Sequence, residues 1–287
     1  MKFATIAVGT ATRVATVENG RPLRLLDARF KTVADVVAAA ADGEPLVFDD
    51  DAGLPKEYRI LAPFPRPRRN IFCVGKNYRE HAREFTASGF DSSAGKDAIP
   101  DAPIVFSKVP ECVIATEEPI MFDPAVSDAT DYEAELAVII GKGGRGIKVA
   151  QAMAYVWGYT IVNDVTARDV QSRMKQWHVG KSFDTFCPMG PWAVTADEID
   201  LGDTVIRAWI NGELRQDANT RDLIFDVPTI IETISAGITL YPGDIIATGT
   251  PAGVGIGFNP PKYLKSGDFV RIAIGGIGEL RNSVLAI

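Results

Sequence analysis

The chain has 287 residues, 46% of them hydrophobic and 23% charged, with a formal net charge of −7. That is globular composition with enough apolar content for a substantial core, in one large domain or two of usual size. The acidic balance excludes a general affinity for nucleic acid, which needs a basic face, and no run nears the roughly 18 apolar residues of a membrane span. In chain order, Phe3 to Val8 and Arg13 to Val17 read as short strands before a turn at Asn19-Gly20. Thr32-Val-Ala-Asp35 has the form of a capping box, opening an alanine-rich helix that stops near Gly43. Proline spacing in Pro63-Phe-Pro-Arg-Pro67 predicts an extended connector, and the basic stretch Arg66-Pro-Arg-Arg69 reads as solvated linker. A boundary is expected there, between a small unit of residues 1–66 and a body of 67–287.

The body is rich in glycine, proline and β-branched residues. Asn211-Gly212 after Val205 to Ile210 is a two-residue hairpin signal. Asp226 caps a helix from Val227 to about Ser235, and Tyr241-Pro-Gly-Asp244 is a turn feeding a strand from Ile245 to Thr248. The expected fold class is α+β and β-rich, without the alternation of a doubly wound sheet. The N-terminus lacks the apolar core and cleavage pattern of a signal peptide. Three scattered cysteines, Cys73, Cys112 and Cys187, form no metal or disulfide pattern and suit a reducing compartment, so a cytoplasmic location is expected.

Glu133-Ala134-Glu135 opens the apolar run Leu136 to Ile140. On a strand, residues i and i+2 share a face, so both carboxylates point one way while Ala134, Leu136 and Val138 point the other. Either the strand starts in solvent, or the two like charges are buried around a cation. Asp164, at the end of the apolar run Tyr159 to Asn163, is placed to be a third ligand or a helix cap for Thr166-Ala-Arg-Asp169. Three hard oxygens without cysteine or clustered histidine favour Mg²⁺ or Mn²⁺, then Ca²⁺, over zinc.

Gly141-Lys-Gly-Gly-Arg-Gly146 matches the G-x-G-x-x-G fingerprint, after a strand and before an expected helix from Lys148 to Trp157. It makes a nicotinamide-dependent oxidoreductase the rival function, against a reading as a plain glycine connector. Of the two histidines, His81 lies three residues before Glu84 in a short helical stretch, where the two are neighbours on one face. A carboxylate on one imidazole nitrogen makes the other a better base. The alternative is a solvated charged helix. The following polar stretch, Thr86 to Pro103, has the length of a lid or a disordered segment. His178 has no evident partner and reads as structural.

These pieces together resemble the fumarylacetoacetate hydrolase family. The matching segments are Val74-Gly-Lys-Asn-Tyr78 with His81 and Glu84, then Asp131-Tyr-Glu-Ala-Glu135. Asn163-Asp164-Val-Thr-Ala-Arg-Asp-Val-Gln171, Gly180-Lys-Ser-Phe-Asp184 and Thr248-Gly-Thr-Pro-Ala-Gly-Val-Gly255 follow in family order. The resemblance implies a mixed β-sandwich roll, a homodimer, and a divalent metal on Glu133, Glu135 and Asp164. It implies His81 with Glu84 as a water-activating dyad, Lys181 as the stabiliser of enolate charge, and Gln171 and Thr250 as holders of substrate oxygens. The glycine-rich stretch Gly249–Gly255 fits an anion cradle. The nearer likeness is to the bacterial acylpyruvase and 2,4-diketo acid hydrolase branch. The expected activity is hydrolytic cleavage of an acylpyruvate to pyruvate and a carboxylic acid, with oxaloacetate-type decarboxylation or keto–enol isomerisation as the alternative on the same site.

Overall fold

The computed structural model describes residues 1–89 and 99–287, so the middle of the expected lid stretch, residues 90–98, lies outside the described residues. Local signals fold as their chemistry demands. The Asp35 carboxylate accepts from Thr32 N at 2.8 Å at the start of the helix Val33–Ala41. Asp226 accepts from Thr229 N at 2.9 Å to start Val227–Ser235. Asn211 and Gly212 take φ of 52° and 85°, the left-handed pair a tight hairpin between Val205–Ile210 and Glu213–Asn219 requires.

The architecture is α+β and strand-rich. The larger sheet runs in the order Arg21–Leu25, Ala11–Glu18, Lys2–Val8, Cys187–Thr195, Val156–Asn163, Ala134–Ile140, Ile245–Ala247, Ile71–Gly75, Ile104–Lys108. A second sheet of five strands runs Glu213–Asn219, Val205–Ile210, Phe269–Ile274, Gly278–Ala286, Ile120–Phe122. Ala134–Ile140 is central, and every residue in it is buried. One face, with Ala134, Leu136, Val138 and Ile140, packs in a core with Ile206, Ile272 and Leu280 of the second sheet and Ile230 and Ile231 of the helix Val227–Ser235. The other face, with Ala137 and Ile139, shares a core with Phe3, Val14, Leu26 and Val36. A strand covered on both faces must be apolar on both, which is why this run does not alternate with polar residues beyond Glu135.

Ala134–Ile140 and Val156–Asn163 are antiparallel, with Ala134 opposite Asn163 and Ile140 opposite Val156. This overturns the dinucleotide reading of Gly141–Gly146. A βαβ unit needs parallel strands and a crossover helix, whereas here the chain reverses through a helix of only four residues, Val149–Ala152. The expected helix from Lys148 to Trp157 is cut short because the strand begins at Val156. No helix among the described residues is long and apolar enough to cross a membrane.

The first 66 residues add their strands to the larger sheet, Lys2 pairing with Val194 and Phe3 with Ala193. A buried cluster joins Phe3, Leu26, Phe30 and Val36 to Ile71, Cys73 and Met189. We therefore treat the boundary at 66/67 as a division of sequence segments whose cores are shared. Deleting residues 1–66 opens an edge at Cys187–Thr195 and strips one face of the sheet. The fragment is expected to lose its cooperative melt and to bind an apolar dye. A fragment that melts with the full chain would make the body self-sufficient.

Candidate metal centre and acid–base site

The strand register assembles the acidic group. Because Ala134 faces Asn163, Glu133 and Asp164 fall side by side just beyond the pair, and Asp164 N donates to Glu133 O at 2.9 Å. Asn163 fixes the same corner by accepting from Glu133 N at 2.9 Å. Ligand oxygens of Glu133, Glu135 and Asp164 lie within 4.8 Å of one another, and all three residues are buried. The solvated reading of the glutamate pair fails: Glu133 is 4% exposed and Glu135 1%. Asp164 is likewise inside the cluster rather than capping the helix Arg168–Met174.

Three cations meet these acids. Lys181 Nζ lies 2.7 Å from both Glu133 Oε2 and Asp164 Oδ2. Lys108 Nζ contacts Asp164 Oδ1 at 2.8 Å as an ion pair without hydrogen-bond geometry. It also donates to Val165 O at 3.2 Å and to Lys181 O. Arg168 spans Asp131 Oδ2 at 2.9 Å and Glu133 Oε1 at 2.7 Å. Burial alone would raise the Glu133 carboxyl, but Lys181 and Arg168 outweigh it and hold the group down to about 2. Glu135 goes the other way: burial, then the charges of Asp164 and Glu133, push it well above the usual carboxylate range.

That contrast is a test of fit for a metal. Among the described residues, Lys108, Lys181 and Arg168 make the ion pairs of Asp131, Glu133 and Asp164. Glu135 has no ion pair among them, and its Oε2 is met by a neutral donor, Gly249 N at 2.8 Å. A buried set of three carboxylates offers the hard oxygens that suit a divalent cation.

His81 and Glu84 occupy the buried face of the helix Arg79–Ala87, with His81 Nδ1 3.3 Å from Glu84 Oε2. The solvated-helix alternative fails for this face, though Glu80 and Arg83 pair in solvent on the other. His81, Glu133, Glu135, Lys181, Gln171 and Thr250 all line one cavity. It is small, about 10 Å³, with room for about one water molecule. Gln171 Oε1 accepts from Arg168 Nη1 at 3.2 Å, and the residue lines the cavity. The Thr250 hydroxyl is committed to the protein, donating to Ala134 O at 3.1 Å and accepting from Gln216 Nε2 at 2.9 Å. His178 Nδ1 lies 2.9 Å from Ser107 O, away from the cavity lining.

The glycine-rich loop does cradle anions, and they are the protein's own. Gly249 N serves Glu135, Gly253 N serves Glu84, and Gly255 N and Ile256 N serve Asp131 at 2.6 and 3.0 Å. Arg168 and Lys108 are the residues that sequence reading missed. Arg168 had a signal, since it sits three residues before Gln171 and four after Asp164. Lys108 had none, because its partners are 57 and 73 residues away.

A family model described as Fumarylacetoacetate (FAA) hydrolase C-terminal matches residues 70–285. The chain belongs to the fumarylacetoacetate hydrolase family. Within that family of enzymes, it is 49% identical over 230 residues to the oxaloacetate tautomerase YisK of Bacillus subtilis, covering 79% of this chain and 73% of that one. A fumarylacetoacetate hydrolase from the psychrophilic Exiguobacterium antarcticum superposes over the whole of both chains, with a TM-score of 0.85 and 39% identity. A 2-hydroxyhepta-2,4-diene-1,7-dioate isomerase from Mycobacterium marinum gives a TM-score of 0.78 and 34% identity over 100% of this chain and 98% of that one.

The opposed shifts of Glu133 and Glu135 set a pH signature for metal binding. Without metal, a carboxyl raised on folding contributes stability at low pH that is lost as pH climbs through its folded value. A cation needs the ionised form, so binding expels that proton and strengthens with pH. The melting temperature gained on adding Mn²⁺ is expected to grow as pH rises, with proton release seen by calorimetry in buffers of different ionisation enthalpy. In a Glu135→Gln protein both effects should shrink sharply.

Proposed function

We propose that the protein is a divalent-metal-dependent enzyme interconverting the keto and enol forms of oxaloacetate or a closely similar 2-oxo dicarboxylate. The observation that carries this reading is one cavity lined by His81, whose Nδ1 faces Glu84, together with Glu133 and Glu135, whose ligand oxygens lie within 4.8 Å of Asp164's. The names of the relatives, an oxaloacetate tautomerase and a dienedioate isomerase, support the isomerase alternative better than acylpyruvate hydrolysis.

Glu133, Glu135 and Asp164 would hold Mg²⁺ or Mn²⁺, with Ca²⁺ as the third choice, and the bound ion would supply a Lewis acid for the 2-oxo group. His81, with Nδ1 turned to Glu84, presents its other nitrogen to the substrate. It takes the proton from carbon 3; the C–H pair becomes the C2–C3 double bond and the carbonyl pair moves to oxygen. The imidazolium then returns the proton to that oxygen, and the reverse reaction retraces the path. Lys181, already set against Glu133 and Asp164, stabilises the enolate charge as it develops. Gln171 donates to a substrate carboxylate, and Thr250 offers it backbone rather than hydroxyl. This reading takes the protein as a cytoplasmic homodimer.

Hydrolysis of a 2,4-diketo acid is the second reading, favoured by the full-length similarity to a solved fumarylacetoacetate hydrolase. There His81 would draw the proton from an attacking water instead of from carbon. The deciding assay follows loss of the enol absorbance of oxaloacetate with Mg²⁺, Mn²⁺ or chelator, alongside product analysis on an acylpyruvate panel. Metal-dependent enol–keto conversion without pyruvate is expected. Pyruvate with a carboxylic acid from the panel would move the assignment to hydrolysis, and pyruvate with carbon dioxide from oxaloacetate to decarboxylation. His81→Ala should lower turnover by about 10²- to 10⁴-fold with metal affinity unchanged. Unaltered turnover would remove His81 from the mechanism.

A further inference from the structure

Glu84 reaches His81 through a slot that exists because residue 257 has no side chain. A Cβ built on Gly257 would lie 1.7 Å from Glu84 Oε1 and 2.0 Å from its Cδ. The backbone at Gly257 is outside the left-handed region, so conformation does not require glycine there. Space does. Both Glu84 oxygens accept from Gly253 N, at 3.1 and 3.2 Å, and Oε2 faces His81 Nδ1. Around the slot, Phe85 of the same helix packs with Val254, Ile256 and Trp177, so the helix Arg79–Ala87 cannot slide to make room at little cost.

We propose that Gly257 is a positioning residue: its bare Cα is the floor on which the Glu84 carboxylate rests while it orients His81. Any side chain at 257 displaces the carboxylate, the movable partner, and leaves the imidazole without the acceptor that fixes its tautomer. Because the obstructing atoms are the end of a flexible side chain, the fold survives the substitution and the dyad does not. This inference rests on the reading of His81 as the acid–base group.

Gly257→Ala is the test, alone and combined with Glu84→Ala. Expected is a folded protein with a melting temperature near that of the parent, KM and metal affinity little changed, and kcat lowered about 10- to 100-fold, the scale of a small misplacement. In the Glu84→Ala background, the added methyl should have no further effect, since nothing is left for it to displace. A readout without substrate keeps the outcomes separable. The ring ¹⁵N shifts of His81, one of two histidines in the chain, report which nitrogen carries the proton. They should change alike in Gly257→Ala and Glu84→Ala. Wild-type kcat in Gly257→Ala, effects that multiply in the double variant, or unmoved His81 shifts would each overturn the proposal. If the wild type fails on oxaloacetate, the functional reading falls while the ¹⁵N shifts still decide the slot.

Discussion

The site depends on burying a group of carboxylates that main-chain amides hold alongside the cations. Main-chain N–H groups between Gly249 and Ile256 bind Glu135, Glu84 and Asp131. A backbone amide stabilises an ionised carboxylate without neutralising it. At Glu135, which burial and the charges of Asp164 and Glu133 push well above the usual carboxylate range, the amide holds the carboxyl in place without supplying the charge that would keep it ionised. Lys181 and Lys108 take the two oxygens of Asp164 from opposite sides, and Arg168 ties Asp131 to Glu133. The cations fix the geometry of Asp131, Glu133 and Asp164, and Glu135 is the carboxyl without an ion pair among the described residues.

This arrangement explains why the loop is rich in glycine at the positions where it meets other chain segments. A Cβ at Gly249 would lie 2.7 Å from Asn77 Cβ, and one at Gly253 would lie 1.8 Å from Arg215 O. The loop must approach the strand end at 74–77 and the strand Glu213–Asn219 closely for its amides to face inward. Asn77 locks that approach, its Nδ2 donating to Thr248 O at 2.7 Å and its Oδ1 accepting from Phe225 N at 2.8 Å. One buried amide side chain therefore connects the segment leading into the His81 helix to the loop that positions Glu84.

Much of this was legible in the sequence wherever the signal is local. Alternation along Glu133–Val138 put the two carboxylates on one side of the strand. The i to i+3 spacing of His81 and Glu84 put them on one helical face. Asn211-Gly212 and Asp226 encoded their turn and cap through φ and hydrogen-bonding chemistry confined to a few residues. What could not be read was long-range pairing. Lys108 and Asp131 acquire their roles from partners dozens of residues away, and no short pattern encodes that a lysine at a strand end will meet Asp164. Gly141–Gly146 fails for the same reason in reverse. Its local pattern is satisfied, but strand direction is a tertiary property, and the antiparallel return leaves only the four-residue helix Val149–Ala152 where a crossover helix between parallel strands would stand.

The chemistry assigned to the site turns on what His81 can reach. Tautomerisation needs the imidazole against a substrate carbon with water kept away, because a stray proton donor or nucleophile would divert the enolate. Hydrolysis needs the same imidazole one water molecule farther from the bond that breaks. The cation network and the amide cradle serve both equally, since each reaction builds enolate charge in the same place. The difference therefore lies in the few ångströms between His81 and the substrate, and that distance is set by the helix Arg79–Ala87 and the residues that hold Glu84. On the proposed reading, a shift of this helix by about the width of one water molecule would exchange one reaction for the other with no change at Glu133, Glu135 or Asp164.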